Sequence, residues 1–336
     1  MTGAPESGTG EGAFRARAGA LTLLYLAIPM QRRLLLAMLA EAATGADVLG
    51  NADMPDPEDP VPLEIIVDPY LVEPADPELD PEAIDEDTML QPSRAGRDLI
   101  FVSEALERWL GQCPEGPLEL GPDAAPALSA LLNGWSSSVV HALAAKPSTI
   151  AEITEEVGVL DREAIEERIE EMLGAGLVVS LGEEGDGERF GATEWLRRAI
   201  APLAAGARQE LRHPLDDTAP IAALDVQAAF LLTLPLLELP RELSGTCTLA
   251  VELEEGVAGS PTGVEAVVEK GRLLSCEVHL DGDAEAWAAA PASAWLAAVI
   301  ELDTEMVRVG GDSRLSAGLL DELHRTLFGN GSRAPE

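Results

Sequence analysis

Cysteines and histidines are the side chains best suited to hold a metal or attack a substrate, and here their spacing argues against both roles. Cys113, Cys247 and Cys276 lie far apart and form no CxxC pair. Neither a zinc site nor a disulfide framework is expected from them, and each reads as a small core residue. His141, His213, His279 and His324 form no HxxxH or HExxH pattern, so no metal site is expected. The glycine-rich GVAGSPTG, Gly256–Gly263, lies between strand patterns instead of opening a helix, which is the wrong setting for a phosphate cradle. Asp281–Gly282–Asp283 reads as a turn, with too few oxygens for a calcium loop. There is no nucleophile elbow, no P-loop and no GxGxxG after a strand. No catalytic residue, metal or cofactor is expected, and the chain does not read as an enzyme.

Charge narrows the partners. The 336 residues carry 60 acids against 22 bases, a net charge of −38. Such a field repels nucleic acid and anionic membranes at long range and favours basic partners. From Leu34 to Ser93 there is no Lys or Arg, and prolines recur through MPDPEDPVPLEIIVDPYLVEPADPELDPEAIDEDTM. Proline removes donors and blocks helices, so an extended acidic segment is expected there. Residues 1–13 read as a polar, glycine-rich tail with no leader. The apolar run Ala18–Met30 is broken by Pro29 and too short to span a bilayer. A cytoplasmic location without a membrane partner is the expectation.

Periodicity and caps give the elements that would position any site. After Ser93, residues Leu99, Val102, Leu106, Trp109 and Leu110 recur at helical spacing. Trp135–Ala145 reads as a helix ended by Pro147 and Ser148. Thr149 with Glu152 makes a capping box for TIAEITEEV, which stops at Gly158. Asp161 can cap the next helix, where Ile165, Ile169 and Leu173 form one apolar stripe. Gly174 and Gly176 end it. LVVSL, GEEGDGE and RFGA read as strand, turn and returning strand. Thr193 can cap EWLRRAIAPLAAGARQEL, which Pro202 would kink or divide.

The same order occurs twice. IPMQRRLLLAML, SRAGRDLIFVSEALERWL and PLELGPDAAPALSALL precede GWSSSVVHALAA, FGATEWLRRAIAPLAAGAR and APIAALDVQAAFLLTL, a repeat weak in identity and consistent in order. Its second copy, Trp135 to His213, resembles the HxlR branch of winged-helix transcription regulators, relatives of the MarR group. The resemblance rests on ALAAKPSTIAEI, IEERIEEMLGAGLV and RFGATEW. The first copy looks like a degenerate sibling whose helix-turn-helix the acidic segment has overwritten.

Beyond Pro220 the rhythm changes. Cys247, Leu249, Val251 and Leu253 alternate with small or polar residues, as in a half-buried strand. GVEAVVEKGRLLSCEVHL reads as a hairpin turning at Lys270–Gly271, with Leu274, Cys276, Val278 and Leu280 on one face. AEAWAAAPASAWLAAVI, MVRVGGD and LSAGLLDELHRTLFG follow. This region resembles the sterol-carrier-protein type of lipid-binding domain. The resemblance implies an apolar cavity between a sheet and its helices, with Leu249, Val251, Leu274, Val278, Trp287, Trp295 and Leu296 as candidate lining residues. The expected fold class is therefore α+β. A degenerate winged helix-turn-helix copy spans residues 14–126, with an acidic insertion at about 47–92. An intact copy spans 127–218, and a sterol-carrier-like α+β domain spans 219–330.

The regulator resemblance implies DNA binding, as a homodimer reading two half-sites, with a small apolar effector held in the third region. Candidate DNA contacts are Arg162, Arg168, Arg189, Arg197 and Arg198. Charge opposes that reading, because residues 127–213 hold eight bases against fifteen acids. One carboxylate near 4 Å from a phosphate costs about 1 kcal/mol even at the dielectric of water. The alternative is an acidic regulatory or protein-interaction protein that keeps the winged-helix scaffold without binding DNA and docks on a basic partner.

Overall fold

The computed structural model describes residues 17–20, 22–23, 43–44, 72–76, 88–184, 187–214, 220–252, 262–278, 280 and 283–329. The expected N-terminal tail, most of the helix over 18–40, most of the acidic segment, His279 and the first six residues of GVAGSPTG lie outside them. The fold is a mixture of helix and sheet, of the α+β kind.

Strands β1 (Ala43–Thr44), β2 (Val72–Pro74) and β3 (Met89–Pro92) form an antiparallel sheet with β3 in the middle. Helix α1 (Arg94–Leu110) follows, started by Ser93, whose hydroxyl accepts from the Gly96 amide. Helices α2 (Ala125–Ser136) and α3 (Val139–Ala145) come next. Then β4 (Ser148–Thr149) leads into α4 (Ile150–Val157) and α5 (Arg162–Gly174). The hairpin of β5 (Val178–Glu184) and β6 (Gly187–Ala192) closes this unit, followed by α6 (Glu194–Arg198) and α7 (Ile200–Arg212).

The second sheet runs β4-β6-β5, the same order as β1-β3-β2. The registers agree as well. Ala43 faces Leu90 as Ser148 faces Phe190, and Val72 faces Pro92 as Val178 faces Ala192. Ser93 caps α1 as Thr193 caps α6. Between β1 and β2 lie 27 residues, and 28 separate β4 from β5. The two gaps are thus equal in length to within one residue. The long helices of the two copies, α1 and α7, pack along each other. Trp109 and Trp195 stack with centroids 4.7 Å apart, and each indole N–H donates to the other's backbone carbonyl at 2.9 Å.

Local signals place the caps of the second copy. Thr149 and Glu152 form the reciprocal box, and Asp161 accepts from Ala164 N at 2.9 Å. Gly158 ends α4 at φ +68°, where a side chain would be strained. Three details differ from the sequence reading. The helix expected over Trp135–Ala145 is divided: α2 ends at Ser136, Ser138 turns the chain at φ +67°, and α3 starts at Val139. The third residue of the α5 stripe is Met172, fully buried against Gly134, while Leu173 is half-buried. The break expected at Pro202 falls at Ala199. Pro202 then sits in the first turn of α7, where its missing N–H leaves no helical bond unmade.

The last region pairs helices with a five-stranded sheet. Helix α8 (Ala223–Thr233) precedes β7 (Gly245–Glu252), β8 (Thr262–Glu269), β9 (Arg272–Glu277) and β10 (Ala286–Pro291). Helix α9 (Ala292–Glu301), β11 (Arg308–Gly311) and α10 (Ser313–Phe328) complete it. The order is β11-β10-β7-β8-β9, with β10 parallel to β7. Cys247, Leu249, Val251, Val264 and Ala266 are fully buried, on the face that α8, α9 and α10 contact. Helix α8 also packs on α3, and α7 on α9.

Candidate functional site

Two places on the molecule have the makings of a site: the exposed face of α5 with its hairpin, and the helix junction behind the last sheet. On α5, Ile165, Ile169 and Met172 are buried, which turns Arg162, Glu163, Glu167, Glu170 and Glu171 to solvent. None of the five candidate arginines is free. Arg162 donates to Glu166 at 2.6 Å and Arg168 to Glu171 at 2.8 Å. Arg189 donates to the Pro147 carbonyl at 2.9 Å and contacts Glu152 at 3.3 Å. Arg198 pairs with Glu194 at 2.7 Å. Arg197 turns inward and donates to the carbonyls of Leu231 and Leu232, at the end of α8. Orphan carbonyls at a helix C-terminus are what a cation satisfies best. The structure therefore places four of these arginines on the surface in ion pairs and one inside as a helix cap.

The candidate lining residues also divide. Trp295 and Leu296 line a cavity among the helices, but Leu249 and Val251 are core residues of β7 outside its wall. Leu274 and Val278 are 61% and 47% exposed, so they do not share a buried face with Cys276. For Leu274 the reason is a bulge: Val267 faces Ser275 and Val268 faces Leu273, which leaves Leu274 opposite nothing. An extra residue of this kind flips the side-chain alternation. Trp287 is 40% exposed and lies over Gly310 of the neighbouring strand.

The cavity itself has a volume of about 70 Å³. Its wall comes from α2, α7, α8, α9 and α10, with Trp135, Phe230 and Trp295 as aromatic sides. Phe230 meets Trp295 edge to face at 4.9 Å, and the Trp295 indole donates to the Ala250 carbonyl at 2.8 Å. Asp225 stands at its edge. That carboxylate accepts from His141 Nε2 at 2.9 Å, from the Ala222 amide at 3.1 Å and from Arg17. Burial alone would raise the Asp225 pKa, but the His141 bond and the Arg17 charge outweigh it and hold the group below the carboxylate range. Burial lowers the His141 pKa, with Arg17 acting in the same direction against the pull of Asp225. A neutral His141 that donates from Nε2 follows. On the far side of this trio, Arg17, His141, Val159, Leu224 and Gln227 line an open cleft of about 700 Å³.

A second buried charge cluster holds the long helices. Asp98 of α1 is fully buried and accepts from Arg208 at 2.7 Å and from Arg212 at 3.4 Å. Both arginines also pair with Glu301 of α9, at 2.6 and 2.5 Å. Sequence reasoning did not find either cluster. One signal was present: Asp225 in the apolar run ALDVQAAFLLT is a charge that a buried helix must pair. Among the described residues no group of His, Cys, Asp and Glu could hold a metal, and no helix is long and apolar enough to cross a membrane. Cys247 and Cys276 have thiols that burial pushes up to about 12, which makes them inert near neutrality. Comparisons with protein-family models and with curated proteins find no match.

Proposed function

We propose that the chain is a regulator of the winged-helix type that acts by docking on a basic protein partner and does not bind DNA tightly. The α3–α4–α5 order with the β5–β6 hairpin is the arrangement such a scaffold needs. One observation carries the departure from DNA. Every arginine that the scaffold would send to phosphate is held by a carboxylate or carbonyl of the protein, while Glu163, Glu167, Glu170 and Glu171 face solvent. The surface pairs alone are weak, about 0–1 kcal/mol each, and would not stop arginines from moving. The glutamates would remain, and phosphate binding depends on releasing counterions to cations. The packing of α1 on α7 also supplies within one chain a pairing of two copies that separate subunits would otherwise provide.

Fluorescence anisotropy of a labelled duplex from the gene's own upstream region, at low salt, tests the reading. No saturable rise is expected at micromolar protein, and an Arg-rich peptide should bind, with salt weakening it. A saturable, salt-sensitive isotherm with the duplex would overturn it and establish the second reading, a DNA-binding transcription regulator. What favours that second reading is the intact pair α4 and α5, with its capping box and its Asp161 cap.

A further inference from the structure

We propose that the cleft between α3, α6 and β9 binds a small organic monocarboxylate with a compact aliphatic body. The cleft has a volume of about 450 Å³, within the range of roughly 300–1,000 Å³ usual for small-molecule sites. Arg197 and Arg272 both line it, and among the described residues no Asp or Glu does. The chain as a whole carries 60 acids against 22 bases, so a wall with cations and no carboxylate runs against its composition. The acids nearest in sequence are Glu194, which pairs with Arg198, Glu269, which pairs with Lys270, and Glu277, exposed at the end of β9.

Arg197 supplies the recognising group. It is half-buried, and only its Nη1 is engaged, by the carbonyls of Leu231 and Leu232. Nε and Nη2 have no partner among the described residues, and neither is sealed from solvent. Those two nitrogens form one planar edge of the guanidinium, which the two oxygens of a carboxylate match. Burial lowers the Arg197 pKa, and the opposing pull comes from Cys276. Burial pushes that thiol up to about 12, so it is neutral near pH 7 and supplies no counter-charge. A charge taken partly from water without a partner is costly, and a bound anion removes that cost. Arg272 is exposed and has no ion-pair partner among the described residues, so it adds a second positive charge at the rim. A phosphate, with three strong acceptor oxygens, would ask for more donors than this one free edge. The body of the ligand meets Leu231, Pro235, Leu237 and Leu274, an aliphatic wall without an aromatic ring among the described residues.

The site stands independently of what α5 binds. Fluorine NMR of the full chain tests it with 4-(trifluoromethyl)cyclohexanecarboxylate and the matching carboxamide, and with acetate and inorganic phosphate as unlabelled competitors. A saturable shift is expected for the acid, with the amide about ten-fold weaker because it lacks the charge-assisted bonds. Neither competitor should displace the acid at equal concentration. Arg272→Gln changes an exposed side chain and should weaken the acid alone by about three-fold. Leu274→Glu sets a carboxylate on the exposed bulge and should weaken the acid by about five-fold, the effect of one like charge near 4 Å in water. Arg197→Lys keeps a cation for the α8 carbonyls and loses the planar edge. It should bring the acid-to-amide ratio of affinities close to one, which a merely loosened fold would not do. The idea fails if the acid does not saturate at millimolar concentration or if the amide binds as well. It fails if phosphate or acetate displaces the acid at equal concentration, which would mean a site for inorganic or small ions only. It fails equally if all three variants keep the parent ratio of acid to amide.

Discussion

At the scale of single residues, stability should hang on charges that are buried and shared. Asp98 has no exposure and joins Arg208 and Arg212 of α7 to its own helix, and Arg208 is itself 3% exposed. Asp98→Ala would take from the buried Arg208 one of its carboxylate partners. Removing one partner of a buried pair typically costs about 3–5 kcal/mol, so urea denaturation should show a loss of that size. A loss below about 1 kcal/mol would mean that water reaches the cluster. His141 offers a test with pH. Its folded pKa lies below the ordinary value, chiefly through burial, so the unfolded chain binds its proton more readily. Stability must then fall as pH falls from about 7 towards 5.5, where the unfolded imidazole takes up its proton. Asp225 adds nothing in that window, because its lowered pKa puts its contribution at more acid pH. In His141→Gln, which keeps a donor for Asp225, denaturation midpoints measured across the same range should be flatter than in the parent chain. Equal slopes would exclude His141 as the source.

At the scale of elements, α5 is the decisive one. Glu167 and Glu170 are exposed and unneeded by the apolar stripe, whereas Glu163 in the first turn suits the positive end of the helix. Glu167→Lys with Glu170→Lys should therefore leave the fold intact and give the chain weak DNA binding at low salt. The slope of log K against log salt should be about −2, near 0.9 for each new phosphate contact. No gain, measured by anisotropy, would mean that α5 is not placed to enter a groove. Elements of this unit were legible because their causes are local. A capping box, an Asp cap and a glycine stop each act within four residues of chain. The stripe was legible to within one position, since Met172 and Leu173 are neighbours near the apolar face and Met172 is the one that packs on Gly134. The hairpin β8–β9 was legible in extent but not in facing, because a bulge at Leu274 depends on pairing and leaves no mark in the alternation. The cavity was legible only in part. Trp295 and Leu296 belong to it, but Trp135 of α2 and Thr233 of α8 line it from helices far apart in the chain, and no spacing announces that.

At the scale of the molecule, the boundary near residue 218 separates two sequence rhythms, and helix contacts cross it. Helix α8 lies on α3 and on β7 and β8 at once, and α7 is covered by α1 on one side and by α9 on another. Arg208 and Arg212 carry the Asp98 cluster across to Glu301. The apolar residues Ile200 and Leu203 of α7 line the same cavity as Trp295, Leu323 and Leu327. Cutting after 218 would expose that wall and strip Arg208 of Glu301. Burial of a Leu or Ile side chain contributes about 1.5–3 kcal/mol, comparable in sum to the whole stability of a domain, about 5–15 kcal/mol. The chain should therefore unfold as one cooperative unit. Scanning calorimetry is expected to give a single transition whose van't Hoff and calorimetric enthalpies agree. A fragment of residues 1–218 should lack a sharp transition and bind a dye for exposed apolar surface. Two resolved transitions in the full chain, or a cooperatively folding fragment of residues 219–330, would show instead that the last region is independent and that the helix junction is a contact between separate domains.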